Sequence, residues 1–272
     1  MVNSVMAYIP FVFPHAAALG NTITLPSNSK SHGQFVEKSD VKNIFSEKSG
    51  QKIPKETIYK QANPTPDIKR IFIQQVDQII WRYKLSADTL NISTSDNISE
   101  VQVFDIILKP ECEAINELVL STLDKTILTS IYFRLFYTNT HRMKMQCAMA
   151  DKRVNKRSDE QMVVRDYFIS PKIDIQFNLE LNLPYMSESQ KLPVVIDMTG
   201  LHKELLRSLL EQPALNDETL EEQLDRIATL KKLNNNSAKI QSAISKEKQF
   251  NRKVQLNKML NQIKKQIKAL SG

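Results

Sequence analysis

The chain has 272 residues, 41% hydrophobic and 25% charged, with a formal net charge of +7. This length and balance support a full-sized buried core and exclude a disordered or fibrous chain. Cys112, Cys147 and the scattered His15, His32, His141 and His202 show no metal-ligand or disulfide spacing, and five glycines form neither a Walker loop nor a dinucleotide fingerprint. No cofactor and no metal are therefore expected, and the cysteine usage suits a reducing cytoplasm.

Met1 to Leu19 is mostly apolar, but it lacks a basic start and is interrupted by Pro10 and Pro14. It reads as an extension that packs on the domain or on a partner. No stretch reaches the roughly 18 apolar residues needed to span a bilayer, so no membrane contact is expected. Residues 1–64 are taken as a poorly ordered lead-in with room for one short helix, since residues 20–65 are rich in Ser, Asn, Lys and Gly.

Order begins at Thr65-Pro66-Asp67, a cap, a tolerated first-turn proline and an acid at the positive end of the helix. Ile68, Phe72, Val76, Ile79 and Tyr83 recur at helical spacing and predict a core-facing helix of about five turns. Val103 to Leu108 is apolar on both faces, as a central strand is. Cys112 to Thr126 carries helical spacing, and Ser130 to Tyr137 is rich in β-formers. Thr138 to His141 reads as a turn into Met143 to Cys147, whose alternation predicts a half-exposed strand of an antiparallel hairpin. Further strands are expected at Met162 to Ile169, Ile173 to Phe177 and Leu192 to Ile196, with a helix at Leu201 to Leu210 closed by Pro213. The fold class is α+β, a mixed or antiparallel sheet with packed helices over residues 65–212, followed by a basic helical hairpin or coiled coil over 213–272.

In that last part Asp217 is read as the cap of a helix carrying Leu220, Leu224 and Ile227. Asn234-Asn235-Asn236 interrupts it, and Ser237 caps a second helix running to the end. Leu256, Leu260, Ile263, Ile267 and Leu270 alternate four and three apart, the seam of a hairpin or coiled coil that could also join two copies of the chain. Residues 231–272 hold eleven Lys or Arg against the single acid Glu247, so the remaining chain is slightly acidic and the basicity belongs to the tail. Such a tail points to nucleic acid, because phosphate contacts by Lys and Arg release counterions. The residues assigned to it are Lys246, Lys248, Gln249, Arg252, Lys253, Lys264 and Lys265. On one helix Lys246, Gln249, Lys253 and Asn257 share a face, with Phe250 and Val254 beside it. Protein contacts are expected from Phe250, Val254, Leu256, Leu260 and Ile263, and from Trp81 in the aromatic-basic run Trp81-Arg82-Tyr83-Lys84.

Three segments together resemble a known family: Ile53 to Tyr59 followed by Phe72 to Ile92, then Glu100 to Lys109, then Lys246 to Asn257. The chain is similar over roughly residues 53–270 to the bacterial family known as domain of unknown function 4391. Members tend to sit beside helicase and DNA-methyltransferase genes in restriction or phage-defence loci. The resemblance implies an accessory subunit of a DNA-directed defence assembly with a helicase- or methyltransferase-type partner, DNA rather than RNA as the polyanion, and no catalytic residues to carry over. The competing enzymatic reading is a metal-dependent nuclease using Glu100, Asp105 and Lys109 along one strand. Its spacing lacks the acid-x-Lys triplet, and convergence or dispersal of the three side chains separates the readings.

Overall fold

The structure, a computed structural model, describes residues 8–19, 50–95, 98–138, 143–155, 158–178, 183–185 and 189–271. Residues 139–141 of the expected turn and residues 20–49 of the lead-in lie outside them, and Thr138 ends a strand. The chain divides into two compact units, residues 1–210 and 211–272.

In the first unit an eight-stranded mixed sheet runs β2 (Gln51–Lys52), β3 (Val76–Ser86), β4 (Glu100–Leu108), β5 (Ser130–Thr138), β6 (Met143–Asn155), β8 (Ile173–Asn178), β9 (Leu183–Tyr185). Strand β7 (Ser158–Ile169) pairs with the remainder of β6. Among the described residues only β4 and β5 pair in parallel within it, and helix α4 (Glu117–Thr126) makes the crossover that a parallel pair requires. β1 (Phe11–Val12) and β10 (Gln190–Lys191) form a separate two-stranded ladder. Helices α1 (Lys55–Ala62), α2 (Pro66–Gln75) and α4 bury Ile58, Phe72, Val119, Leu120 and Leu123 against Phe104, Ile106, Leu108, Ile131, Phe133 and Leu135 of one sheet face. The central-strand expectation for Val103 to Leu108 holds, since β4 is buried throughout 101–108. Met143 to Cys147 alternates buried and less buried positions as its pattern required.

The five-turn helix over 68–83 is corrected. The cap is real, with Thr65 Oγ1 accepting from the Ile68 amide and Pro66 in the first turn, but α2 stops at Gln75 and Val76 enters β3. From there Val76, Ile79, Ile80, Trp81 and Tyr83 are β-branched or aromatic, and the segment pairs with β4 along its length. A register shift between Val76 and Gln78 puts Val76 and Ile79 on the same core face three residues apart, so a bulged strand imitates helical spacing. Residues 51–62, read as lead-in, supply β2 and α1. Leu192 to Ile196 forms no strand; Val194 and Ile196 are exposed, and the pairing falls one step earlier, at Gln190–Lys191. A single-turn helix α3 (Ala87–Leu90) follows β3 under a Ser86–Thr89 capping box. Helix α5 (Met198–Arg207) starts three residues earlier than Leu201, because the Asp197 carboxylate caps it by accepting from the Gly200 amide at 2.7 Å.

Residues 8–19 cover the sheet face opposite α1, α2 and α4. The Phe13 ring lies 5.1 Å from Tyr83 and 5.8 Å from Tyr132, the Tyr8 and Tyr132 hydroxyls are hydrogen-bonded, and the Leu19 amide donates to the Arg82 carbonyl.

The second unit is a helical hairpin of α6 (Leu220–Lys246) and α7 (Phe250–Leu270) joined by Glu247–Gln249. The helices are antiparallel, since Arg226 near the start of α6 donates to the Leu270 carbonyl at the end of α7. Three expectations are corrected here. Thr219 rather than Asp217 is the cap, in a box where Thr219 Oγ1 accepts from the Glu222 amide and the Glu222 carboxylate accepts from the Thr219 amide; Asp217 sits at φ 61° before it. The asparagines 234–236 do not break α6, because each costs well under about 1 kcal/mol in a helix while Leu230, Leu233, Ile240 and Ile244 hold the less exposed face around them. Ser237 therefore caps nothing, and the break falls at Glu247.

Candidate nucleic-acid interface

The hairpin's charge follows from its seam. On α7, residues 253, 256, 260, 263, 267 and 270 are buried or half-buried, and every other position from 250 to 271 is exposed. The spacing of Leu256, Leu260, Ile263, Ile267 and Leu270 thus marks the inner side of the hairpin, with Leu260 buried. Lysines fill the outer side. Of the eleven basic residues from Lys231 to Lys268, ten are exposed and Lys253 is half-buried. The single acid, Glu247, turns onto the connection, where it accepts from the Gln249 and Lys248 amides and lies 3.9 Å from Arg252. The Gln249 and Lys248 amides and the neighbouring Arg252 and Lys253 charges hold its carboxyl below the ordinary range. It neutralises the turn, and the only other acids of the two helices, Glu221, Glu222 and Asp225, stand at the start of α6, ahead of Lys231.

The single-helix face of Lys246, Gln249, Lys253 and Asn257 does not exist as such. Lys246 ends α6, Lys248 and Gln249 lie in the connection, and Arg252 and Lys253 begin α7. Lys264 and Lys265 are exposed on the last turns of α7. Among the residues assigned to protein contact, Leu256, Leu260 and Ile263 lie on the seam, whereas Phe250 is 78% and Val254 44% exposed. Trp81 is half-buried on β3, stacked on Phe104 with its indole N–H donating to Gln102 Oε1 at 2.7 Å.

The three nuclease candidates do not converge. Glu100 opens β4 and is paired with Lys84 at 2.7 Å, and Lys109 follows the other end, so the strand separates them by about 30 Å. Asp105 between them is 1% exposed and fully engaged: Arg82 Nε donates to Oδ2 at 2.8 Å, and Arg134 Nε and Nη2 donate to Oδ1 and Oδ2 at 2.6 and 2.8 Å. Arg134 also lies against the Phe13, Tyr83 and Phe136 rings. A carboxylate enclosed by two guanidiniums is a paired core element whose oxygens are already taken by three charge-assisted hydrogen bonds. Among the described residues no group of three or more His, Cys, Asp or Glu could hold a metal ion. Sequence reasoning missed this Arg82–Asp105–Arg134 cluster. Its signal was a single charge inside each of two otherwise apolar runs, Val103 to Leu108 and Ile131 to Tyr137, which demands a buried partner. It also missed a second buried pair, Asp124 with Lys152 at 2.7 Å, to which Tyr167 adds a hydroxyl donor.

These features define an α+β body with a mixed sheet, carrying a cationic antiparallel hairpin. The sequence profile of the family described as Domain of unknown function (DUF4391) matches residues 46–267, and the chain belongs to that family. The match takes in both the body from β2 onward and nearly all of the hairpin, while residues 8–19 lie outside it. Neither a curated protein nor a solved structure is significantly similar to the chain. Among the described residues no helix is long and apolar enough to cross a membrane.

Proposed function

We propose that this chain is a non-catalytic accessory subunit that holds nucleic acid on its C-terminal hairpin and works in the cytoplasm beside a helicase- or methyltransferase-type protein in a bacterial DNA-directed defence assembly. The observation that carries the reading is the stretch of the hairpin from Lys231 to Lys268, where ten basic side chains are exposed and the one acid is occupied by backbone amides. A surface of that charge is repelled by itself and neutralised by a polyanion. The hairpin lies almost entirely within the family match, which makes it part of the common module rather than an appended tail. The exposed aliphatics Val194 and Ile196 give the body an apolar surface for the protein partner. With the Leu256 to Leu270 seam turned inward, the second copy of the chain is the weaker choice of partner.

The test is isolation of the tagged chain from its host at low salt, with and without nuclease treatment. Nucleic acid and a helicase- or methyltransferase-type protein are expected in the untreated sample. Replacement of Lys258, Lys264, Lys265 and Lys268 by Gln should remove the nucleic acid, and Val194→Asp with Ile196→Asp should remove the protein. Retention of nucleic acid by the lysine variant would refute the assignment to the hairpin.

A further inference from the structure

Resting on the reading of the hairpin as a nucleic-acid surface, we propose that α7 enters the major groove of double-stranded DNA with its outer ridge, Asn257 and Asn261 facing base edges and Lys258, Lys264, Lys265 and Lys268 facing the two phosphate strands.

The ridge is defined by the seam. With Leu256, Leu260, Ile263, Ile267 and Leu270 turned toward α6, the steps of four and three through Phe250, Val254, Asn257, Asn261, Lys264 and Lys268 trace an outer flank about a third of a turn around the helix from the seam, and all six residues are exposed. In an antiparallel two-helix hairpin that side projects as a rod about 10–12 Å across, which matches the roughly 12 Å width of the B-form major groove. From Val254 to Lys268 it runs about 21 Å, the length of roughly six base pairs at 3.4 Å each.

The chemistry is ordered along the rod. Asn257 and Asn261 stand one turn apart in its middle, and an asparagine amide offers the donor and acceptor that match the adenine edge. Asn257 Nδ2 donates to the Lys253 carbonyl, and this exposed bond is readily exchanged. Phe250 and Val254 occupy the turn end, where a thymine methyl gives them an apolar neighbour. Lys264 and Lys268 lie on the same line, with Lys258 and Lys265 to one side of it, positions from which long side chains reach phosphates. No acid lies on α7 to repel either strand. An A-form duplex presents a major groove too deep and narrow for this rod, so duplex RNA of the same sequence offers it phosphates only.

The full chain is titrated by fluorescence anisotropy, at the same series of salt concentrations for each probe, with mixed-sequence duplexes of about 20 base pairs, namely DNA, RNA of the same sequence, and DNA whose cytosines carry glucosylated hydroxymethyl groups that fill the major groove, and with the single DNA strand beside them. The DNA duplex should bind at least about tenfold more tightly than the other two, and Asn257→Ala with Asn261→Ala should bring it down to their level with its salt dependence unchanged. Lys264→Gln with Lys268→Gln should weaken all three and flatten the salt dependence. Equal affinity for the three duplexes, an unchanged asparagine variant of full helicity, or preference for the single strand would overturn groove entry while leaving polyanion binding in place. Absence of salt-dependent binding to every probe would overturn the underlying reading and this one together.

Discussion

Replacement of Asp105 by Ala tests whether the residue is a structural keystone or a metal ligand. The carboxylate is 1% exposed, and the Arg82 and Arg134 side chains are 11% and 13% exposed, so the substitution leaves two guanidiniums facing each other with little water to screen them. Three charge-assisted hydrogen bonds go at once, and they are not additive because all end on one carboxylate. Removing one member of a buried ionic group costs about 3–5 kcal/mol. At about 2–4 °C per kcal/mol for a unit of this size, the midpoint should fall by about 6–20 °C. Thermal denaturation followed by circular dichroism reads it. Asp105→Asn, which keeps one carbonyl acceptor, should fall between, and the triple change Arg82→Met, Asp105→Leu, Arg134→Met should recover much of the loss, because an apolar set of similar volume has no charge to leave unpaired. A midpoint for Asp105→Ala within about 2 °C of the parent would refute the reasoning and return Asp105 to the catalytic candidates.

The seam should fail cooperatively: each buried aliphatic contributes about 1.5–3 kcal/mol, so Leu260→Asp with Ile263→Asp should lower hairpin helicity and stability while the mass in solution stays that of the parent; a loss of mass instead would show that the seam joins two chains. His202 is pushed down from 6.5 to about 4 by burial and by the nearby Lys152 and Lys203 charges. It is neutral in the fold and protonated in the unfolded chain between those values, so it costs no stability above pH 6.5 and up to about 3 kcal/mol as pH falls toward 4. His202→Asn should flatten melting midpoints over that window, and equal pH dependence in the two proteins would contradict the burial. Incubation of the purified chain with Mg²⁺ or Mn²⁺ should leave DNA and RNA intact; cleavage abolished by Glu100→Ala would reinstate the nuclease.

What could be read from the sequence depended on whether one side chain pattern had one structural meaning. The Leu256 to Leu270 seam did, since steps of four and three over five residues fit no strand, and the apolar run of β4 did, since only a central position buries both faces. Val76 to Tyr83 did not: a bulge gives a strand the spacing of a helix, and only the long pairing with β4 decides between them. The asparagines 234–236 misled for another reason, because a weak local preference yields to packing on either side of it. Thr219 and Glu222 stood in the sequence as a capping box, but Asp217 offered a competing cap two residues earlier. At the candidate site the sequence showed the charge and hid its placement. The lysines were countable, whereas their distribution over α6, the connection and α7 depended on a break at Glu247 that no Gly or Pro marks. The Arg82–Asp105–Arg134 cluster joins three strands far apart in sequence, and only the sheet order brings them together.

The central claim is that the hairpin is a polyanion-binding surface, and the slope of binding against salt tests it most directly. The full chain and its Lys258→Gln, Lys264→Gln, Lys265→Gln, Lys268→Gln variant are titrated with labelled duplex DNA between about 50 and 200 mM salt. Each phosphate contact contributes about 0.9 to the slope of log affinity against log salt, so the parent should lose about a hundredfold or more in affinity across that range and the variant should show a slope smaller by about three to four. A parent that binds DNA with no salt dependence, or a variant with the parent's slope, would contradict it.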